Sequence, residues 1–181
     1  MIDITGVFAI DGHDGAGKTT LARWLATKSS GSYQRPFHGA LGAALLDAAN
    51  HGNVAKVIAL GEEGIGNALT AAGAGRPVIL DRSWMTVASL VDWETFVTSW
   101  HLWIPTVLCW ADLSTTLDRL DQRTEQPESI DSHIHYLDIY RSLAERTNSY
   151  VVRTDLNSTH QCYDILISWL KGNPSLPRIQ L

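Results

Sequence analysis

The chain has 181 residues, 45% of them hydrophobic and 18% charged, and carries a net charge of −5 at pH 7. That is enough chain for one domain with a full core, and too little positive charge for a broad nucleic-acid surface, where phosphate contacts supply most of the affinity. A small anion can still be held, because a few arginines and backbone N–H groups suffice locally.

No apolar run approaches the roughly 20 residues of a membrane span, so no membrane association is expected. The first residues show no basic segment followed by an apolar one, so no signal peptide is expected. Cys109 and Cys162 lack a CxxC pairing and read as reduced thiols of a cytoplasmic protein. His133 and His135 are two apart, which on a helix points them to different faces, and they are not read as metal ligands.

Val7 to Ile10 is a short apolar run that stops at Asp11-Gly12, the pattern of a buried strand entering a glycine turn. Thr20 to Lys28 reads as a helix with Leu21, Trp24 and Leu25 on one face, and Ser32 to Arg35 as a short strand stopped by Pro36. Leu41 to Ala49 and Val54 to Ala72 are alanine-rich helical stretches. Gly61, Gly64 and Gly66 weaken the second, and Gly73 and Gly75 end it. Pro77 to Leu80 is an apolar strand ending at Asp81-Arg82-Ser83, and Val87 to Trp100 reads as a helix. Thr106 to Trp110 is a further apolar strand, followed by a helix from an N-cap at Ser114 to about Gln122. Arg123 to Glu128 is polar, contains Pro127 and reads as a loop. Ser132 to Arg146 is helical, with Ile134, Leu137 and Leu143 in period; Tyr150 to Val152 is a last strand and Thr159 to Leu170 a last helix. The stretch 171–181, with Gly172, Pro174 and Pro177, reads as a loose tail.

Apolar strands alternating with helices predict an α/β fold, a three-layer sandwich with a parallel sheet flanked by helices, as one domain over 1–181. Ligands of such sheets bind beyond the carboxyl ends of the strands. Asp11-Gly12, Asp81-Arg82 and Asp112 fall there. Gly12-His13-Asp14-Gly15-Ala16-Gly17-Lys18-Thr19 fits GxxxxGK[ST] without a mismatch, after a strand and before a helix. Glycines let the backbone wrap a phosphate, and the helix that follows adds the positive end of its dipole. Lys18 can reach the β- and γ-phosphates and the Thr19 hydroxyl can bind Mg²⁺. The expected ATP site is therefore Gly12, Asp14, Gly15, Ala16, Gly17, Lys18, Thr19 and Thr20, with Mg²⁺ at Thr19 and Asp81. Val78-Ile79-Leu80 ends in Asp81-Arg82, not in the Asp-Glu of transport or mechanical ATPases, and no Asn-Lys-x-Asp occurs. Both facts argue against a motor or a switch.

Phe8 to Thr20 resembles the P-loop of thymidylate kinases, within the wider group of deoxynucleoside and deoxynucleotide kinases. In that family a carboxylate at the place of Asp14 approaches the acceptor's sugar hydroxyl. Val78 to Ser83 resembles the family's strand ending in Asp-Arg, which gives Arg82 the place of the arginine on the acceptor phosphate. Arg119 and Arg123, with Glu125, resemble an arginine-bearing lid over the donor phosphates and imply a short lid at 119–130. Tyr136 to Ala144 resembles the helix after the lid, and Arg153-Thr154-Asp155 the stretch after the last strand. Three features depart from the pattern. Arg35 is followed directly by Pro36, the stretch from Lys18 to Asp81 is short, and Glu62 and Glu63 stand where an aromatic and an arginine of the base pocket are expected.

The resemblance implies a P-loop kinase moving the ATP γ-phosphoryl group to a nucleoside monophosphate, dTMP-like in kind. Lys18, Mg²⁺, Arg119 and Arg123 would stabilise charge on the transferred group; the two arginines are four apart and share a helix face. Arg82, with Arg35, would hold the acceptor phosphate, and Trp84 would line the acceptor pocket. Asp11 either orients water on Mg²⁺ or stabilises the turn. The partner expected is a small nucleotide or nucleoside, and a homodimer is compatible with the class. Two rivals stay open. One is a kinase for a hydroxyl acceptor (a deoxynucleoside, a modified nucleoside or another small metabolite), which needs a base. Such kinases place a carboxylate where this chain has Gln34-Arg35-Pro36. The other is a nucleotide-binding regulator without catalysis, against which the intact Lys18-Thr19 argues.

Overall fold

The structure is a computed structural model and describes residues 6–122, 129–172, 174, 176 and 177. Strands β1 (Val7–Asp11), β2 (Ser32–Gln34), β3 (Val78–Asp81), β4 (Thr106–Trp110) and β5 (Tyr150–Arg153) form one sheet in the order β2-β3-β1-β4-β5. Every pairing in it is parallel, as apolar runs buried on both faces require. Helices α1 (Lys18–Lys28), α2 (Gly39–Asn50), α3 (Val54–Ala72), α4 (Trp84–Ala88), α5 (Trp93–Ser99), α6 (Leu113–Leu120) and α7 (Ile130–Thr147) connect the strands, and α8 (Thr159–Lys171) follows β5.

Strand side chains alternate between two cores, as a period of two demands. Ala9, Val78, Leu80 and Leu108 pack with residues of α2, α3, α4 and α7. Phe8, Ile10, Ile79, Val107, Cys109 and Val152 pack with α1 and α8. The strand order reverses at β1, where Ile10 is in register with Asp81 on one side and Val107 on the other. A crevice opens at such a switch point beyond the strand ends, and the glycine-rich loop leaves β1 there.

Helix α3 and strand β4 coincide with the predicted stretches residue for residue. Three expectations are corrected. The single helix expected over Val87 to Trp100 is two: α4 ends at Ala88, and Asp92 caps a new helix by accepting from the Thr95 N–H at 2.9 Å. The N-cap of α6 is Asp112 rather than Ser114, accepting from the Thr115 N–H at 2.8 Å. Gly61 and Gly64 do not loosen α3. A Cβ at Gly61 would meet Val87 at 2.7 Å, and one at Gly64 would meet Leu41 at 2.7 Å, so both are notches for close packing. The loop expected at Arg123 to Glu128 and much of the expected tail lie outside the described residues. No described helix is long and apolar enough to cross a membrane.

Candidate phosphate-transfer site

Gly12 leaves β1 at φ 142°, and a Cβ there would meet the Cys109 carbonyl oxygen at 2.2 Å. Only glycine tolerates that approach. Helix α1 begins directly after Gly17, which has no side chain to cap it. Its first backbone N–H groups are thus left for a ligand, with the helix dipole behind them.

Asp11 closes the turn from inside. It is fully buried and accepts from Gly12 N at 2.9 Å, Ser83 N at 2.7 Å, Thr86 N at 3.2 Å and Thr86 Oγ1 at 2.7 Å. Burial raises its pKa, and the Arg82 charge and these hydrogen bonds offset part of that rise. Of its two expected roles, the geometry fills the turn-stabilising one: Asp11 ties the end of β1 to the start of α4.

Asp14, Lys18 and Arg82 meet over the loop. One oxygen of Asp14, Oδ1, accepts from Lys18 Nζ at 3.0 Å and from Arg82 Nη2 at 2.5 Å. Lys18 Nζ also donates to the His13 carbonyl at 3.1 Å. Burial opposes ionisation of Asp14, yet the two cations hold its carboxyl well below the usual range. Burial and the neighbouring Arg82 push the Lys18 pKa down. Arg82 itself has φ 79°, the left-handed region that a long side chain rarely adopts. Its Nη1 donates to Gly12 O at 3.4 Å, Thr86 Oγ1 at 3.3 Å and Tyr140 Oη at 3.3 Å.

Thr19 Oγ1 donates to Asp81 Oδ2 at 2.7 Å. Tyr33 donates to the same oxygen at 2.7 Å, and Arg35 Nε lies 3.8 Å from it. A hydroxyl beside a buried carboxylate is a hard-oxygen set. Mg²⁺ takes few protein ligands of that kind and keeps several waters, so these residues fit it.

Two cavities flank the loop. The larger, about 590 Å³, lies between the P-loop, Arg35, Asp81, Arg82 and the apolar side chains of Phe37, Leu46 and Leu90, with Tyr136 and Tyr140 from α7. The smaller, about 370 Å³, is lined by Gly15, Gly17, Thr20, Arg119, Thr154 and Asn157 among others. Arg119 belongs to the smaller one. Its Nη1 donates to Gly15 O at 3.0 Å and Thr154 Oγ1 at 2.9 Å, and its Nη2 to Thr154 O at 2.8 Å. Thr154 in turn donates to the Ala16 carbonyl at 2.9 Å. Helix α6 is thereby bolted to the P-loop and to the end of β5. Arg123 and most of the lid expected at 119–130 lie outside the described residues.

Trp84 is a correction. Its indole is fully buried, donates to Ile104 O at 3.1 Å and packs against Phe96 and Trp103. The expectation rested on its place two residues after Arg82. Instead Ser83 caps α4, whose first residue is Trp84, and the ring enters the core instead of the cavity.

Sequence reasoning missed one face of α7. His133, Tyr136 and Tyr140 follow an i, i+3, i+7 spacing, which was the available signal. His133 Nδ1 is 2.8 Å from His13 Nε2, and Tyr136 stacks on His13 with ring centroids 5.8 Å apart. Burial pushes the His13 pKa down to about 4, against an upward pull from Asp14.

No protein-family model matches the chain, and no curated protein matches it in sequence. Solved structures match in fold. Thymidylate kinase from Candida albicans matches with a TM-score of 0.70 and 14% identity, over 98% of this chain and 97% of that one. Deoxyadenosine kinase from M. mycoides with bound dATP matches with a TM-score of 0.62 and 15% identity, over 91% and 99%. The same kinase with dCMP and a flexible dCDP as products gives 0.58 and 14%, over 92% and 98%. The chain has the fold of P-loop deoxynucleoside and nucleotide kinases, and the likeness read from Phe8 to Thr20 holds at that level.

Proposed function

We propose that the chain is an ATP-dependent kinase for a nucleoside monophosphate, dTMP-like in kind. The observation that carries this is the single Asp14 oxygen shared by Lys18 and Arg82 at the mouth of the larger cavity. It sets the P-loop cation beside the strand-end cation. In-line phosphoryl transfer needs two phosphates brought together with their charge neutralised, and little else from the protein.

On this reading the P-loop and Lys18 hold the ATP phosphates, and the donor's base and ribose lie in the smaller cavity against Arg119. With its donors engaged by Gly15 and Thr154, Arg119 steadies the loop. Thr19 and Asp81 would hold Mg²⁺, which supplies charge neutralisation on phosphate oxygens when bound. The acceptor enters the larger cavity with its phosphate on Arg82 and Arg35, its sugar hydroxyl near Asp14, and its ring against Phe37, Leu46 and Leu90. The names of the matching structures, thymidylate kinase and deoxyadenosine kinase, support a nucleotide or nucleoside acceptor.

A phosphate acceptor is already a nucleophile at neutral pH, whereas a hydroxyl acceptor needs a base. Asp11 is saturated by its donors, Asp14 is kept ionised by two cations and is a weak base, and Asp81 already receives Thr19 and Tyr33. This favours a monophosphate acceptor. ADP formation from ATP, measured with a panel of nucleosides and their monophosphates, tests the reading. Turnover should depend on an added deoxynucleoside monophosphate. Turnover with free nucleosides alone would install the hydroxyl-acceptor kinase, and acceptor-independent silence the regulator.

A further inference from the structure

We propose that Tyr140 is a positioning residue for Arg82, an inference that rests on the reading of Arg82 as the arginine on the acceptor phosphate. Backbone geometry alone aims this side chain poorly. Arg82 sits at φ 79°, with its own N–H bonded to Ile10 O at 3.0 Å. Such conformations persist where the surroundings over-determine them. On its outer side the guanidinium meets Asp14, which is half-exposed and which the acceptor itself approaches. The inner side must therefore carry the fixed reference.

The hydrogens on that inner side can be assigned. The single hydroxyl hydrogen of Thr86 goes to Asp11 Oδ1 at 2.7 Å. The 3.1 Å contact between Thr86 Oγ1 and Tyr140 Oη therefore uses the tyrosine's hydrogen, with Thr86 accepting. That leaves the Tyr140 oxygen facing Arg82 Nη1 with its lone pairs. The chain runs one way: Arg82 donates to Tyr140, Tyr140 to Thr86, and Thr86 to the buried carboxylate of Asp11. Each hydroxyl is polarised towards that carboxylate, so the oxygen offered to Arg82 is a better acceptor than an isolated phenol. Tyr140 is buried, and burial together with Asp11 pushes its pKa up, which keeps the hydrogen in place. Tyr140 belongs to α7, the helix that also meets the P-loop through His133 and His13. One helix face thus references both cations to each other.

The test is a double-mutant cycle on the full chain, with ATP and dTMP, using Tyr140→Phe, Arg82→Ala and the double variant. Tyr140→Phe keeps the ring and removes the link. It should lower kcat/KM for dTMP about tenfold, as expected for a hydrogen bond to a charged group, while KM for ATP and the thermal midpoint stay near wild type. Arg82→Ala should lose at least about tenfold for dTMP, and the double variant should be no worse than Arg82→Ala alone, because one effect passes through the other. If Tyr140→Phe folds poorly, Tyr140→Gln, which keeps an acceptor oxygen, should retain dTMP use that Tyr140→Leu loses. Wild-type kinetics in Tyr140→Phe, losses that add in the double variant, or equal behaviour of Tyr140→Gln and Tyr140→Leu would overturn the inference while the function stands. If Arg82→Ala uses dTMP as wild type does, or wild type does not use dTMP, the functional reading falls and the inference with it.

Discussion

The two cavities beside the P-loop share Gly15, Gly17 and Thr20 but are made of different chemistry. The larger is held by ion pairs: Asp14 with Lys18 and Arg82, and Asp81 with Arg35. In the smaller, Arg119 spends its hydrogen bonds on carbonyl oxygens and a hydroxyl. Ion pairs can trade partners when a phosphate arrives, because a charged ligand replaces one counter-ion with another. A guanidinium fastened to backbone is a fixed wall. On the proposed function, the ion-paired side is the one that reacts and the Arg119 side the one that holds.

Lys18 is where this contrast breaks most easily. Lys18→Ala should lower kcat at least about 10²–10³-fold, the usual cost of losing a charge-stabilising donor, with circular dichroism unchanged. A variant that retains most of kcat would show that the larger cavity is not the reacting side. Arg119 sharpens the other half. Arg119→Ala should raise KM for ATP about tenfold and leave the acceptor's KM alone. Arg119→Lys should not restore it, because the planar fork makes three bonds that a point charge cannot copy. An effect confined to the acceptor would reverse the assignment of the two cavities.

The smallest effect concerns the wall of the larger cavity that titrates. Burial holds the His13 pKa at about 4, against an ordinary value of 6.5. Between those values the unfolded chain takes up a proton that the folded chain refuses, so stability falls as pH drops from 6.5 towards 4. Wild type should lose a few degrees more of thermal midpoint over that window than His13→Gln. Equal slopes would mean that His13 does not titrate with folding.

The order of strands and helices was legible because apolar runs of two periods alternate along the chain. The P-loop was legible because its parts are contiguous: Gly12 to Thr19 states its own geometry. The break between α4 and α5 was not, since the capping carboxylate of Asp92 sits inside an otherwise helical pattern. Trp84 misled for a related reason, as spacing from Arg82 says nothing until the backbone path is known. Gly61 and Gly64 look like helix breakers until Val87 and Leu41 are seen to fill the space above them. The α7 side of the site lies more than a hundred residues from the loop it touches, with His133 meeting His13 across a separation of 120. Only tertiary structure brings those together. Asp11 shows the remaining ambiguity of sequence: a carboxylate at a strand end can face a ligand or its own backbone, and here it faces its backbone.

The central place of β1 has a consequence for how the protein is made. Among the described strands it comes first along the chain, yet its neighbours are β3 and β4, and Ile10 waits for Asp81 and then Val107. At roughly 5–20 residues per second, the approximately hundred residues between Ile10 and Val107 take roughly 5–20 s to appear. Until then the apolar run of Phe8, Ala9 and Ile10 lacks a partner for at least one edge, the condition that invites misassembly. Gly12 is seated on the Cys109 carbonyl, so the phosphate loop cannot take its shape before β4 has emerged. On the proposed function, a nucleotide that needs the shaped loop could therefore stabilise only a chain grown past Trp110.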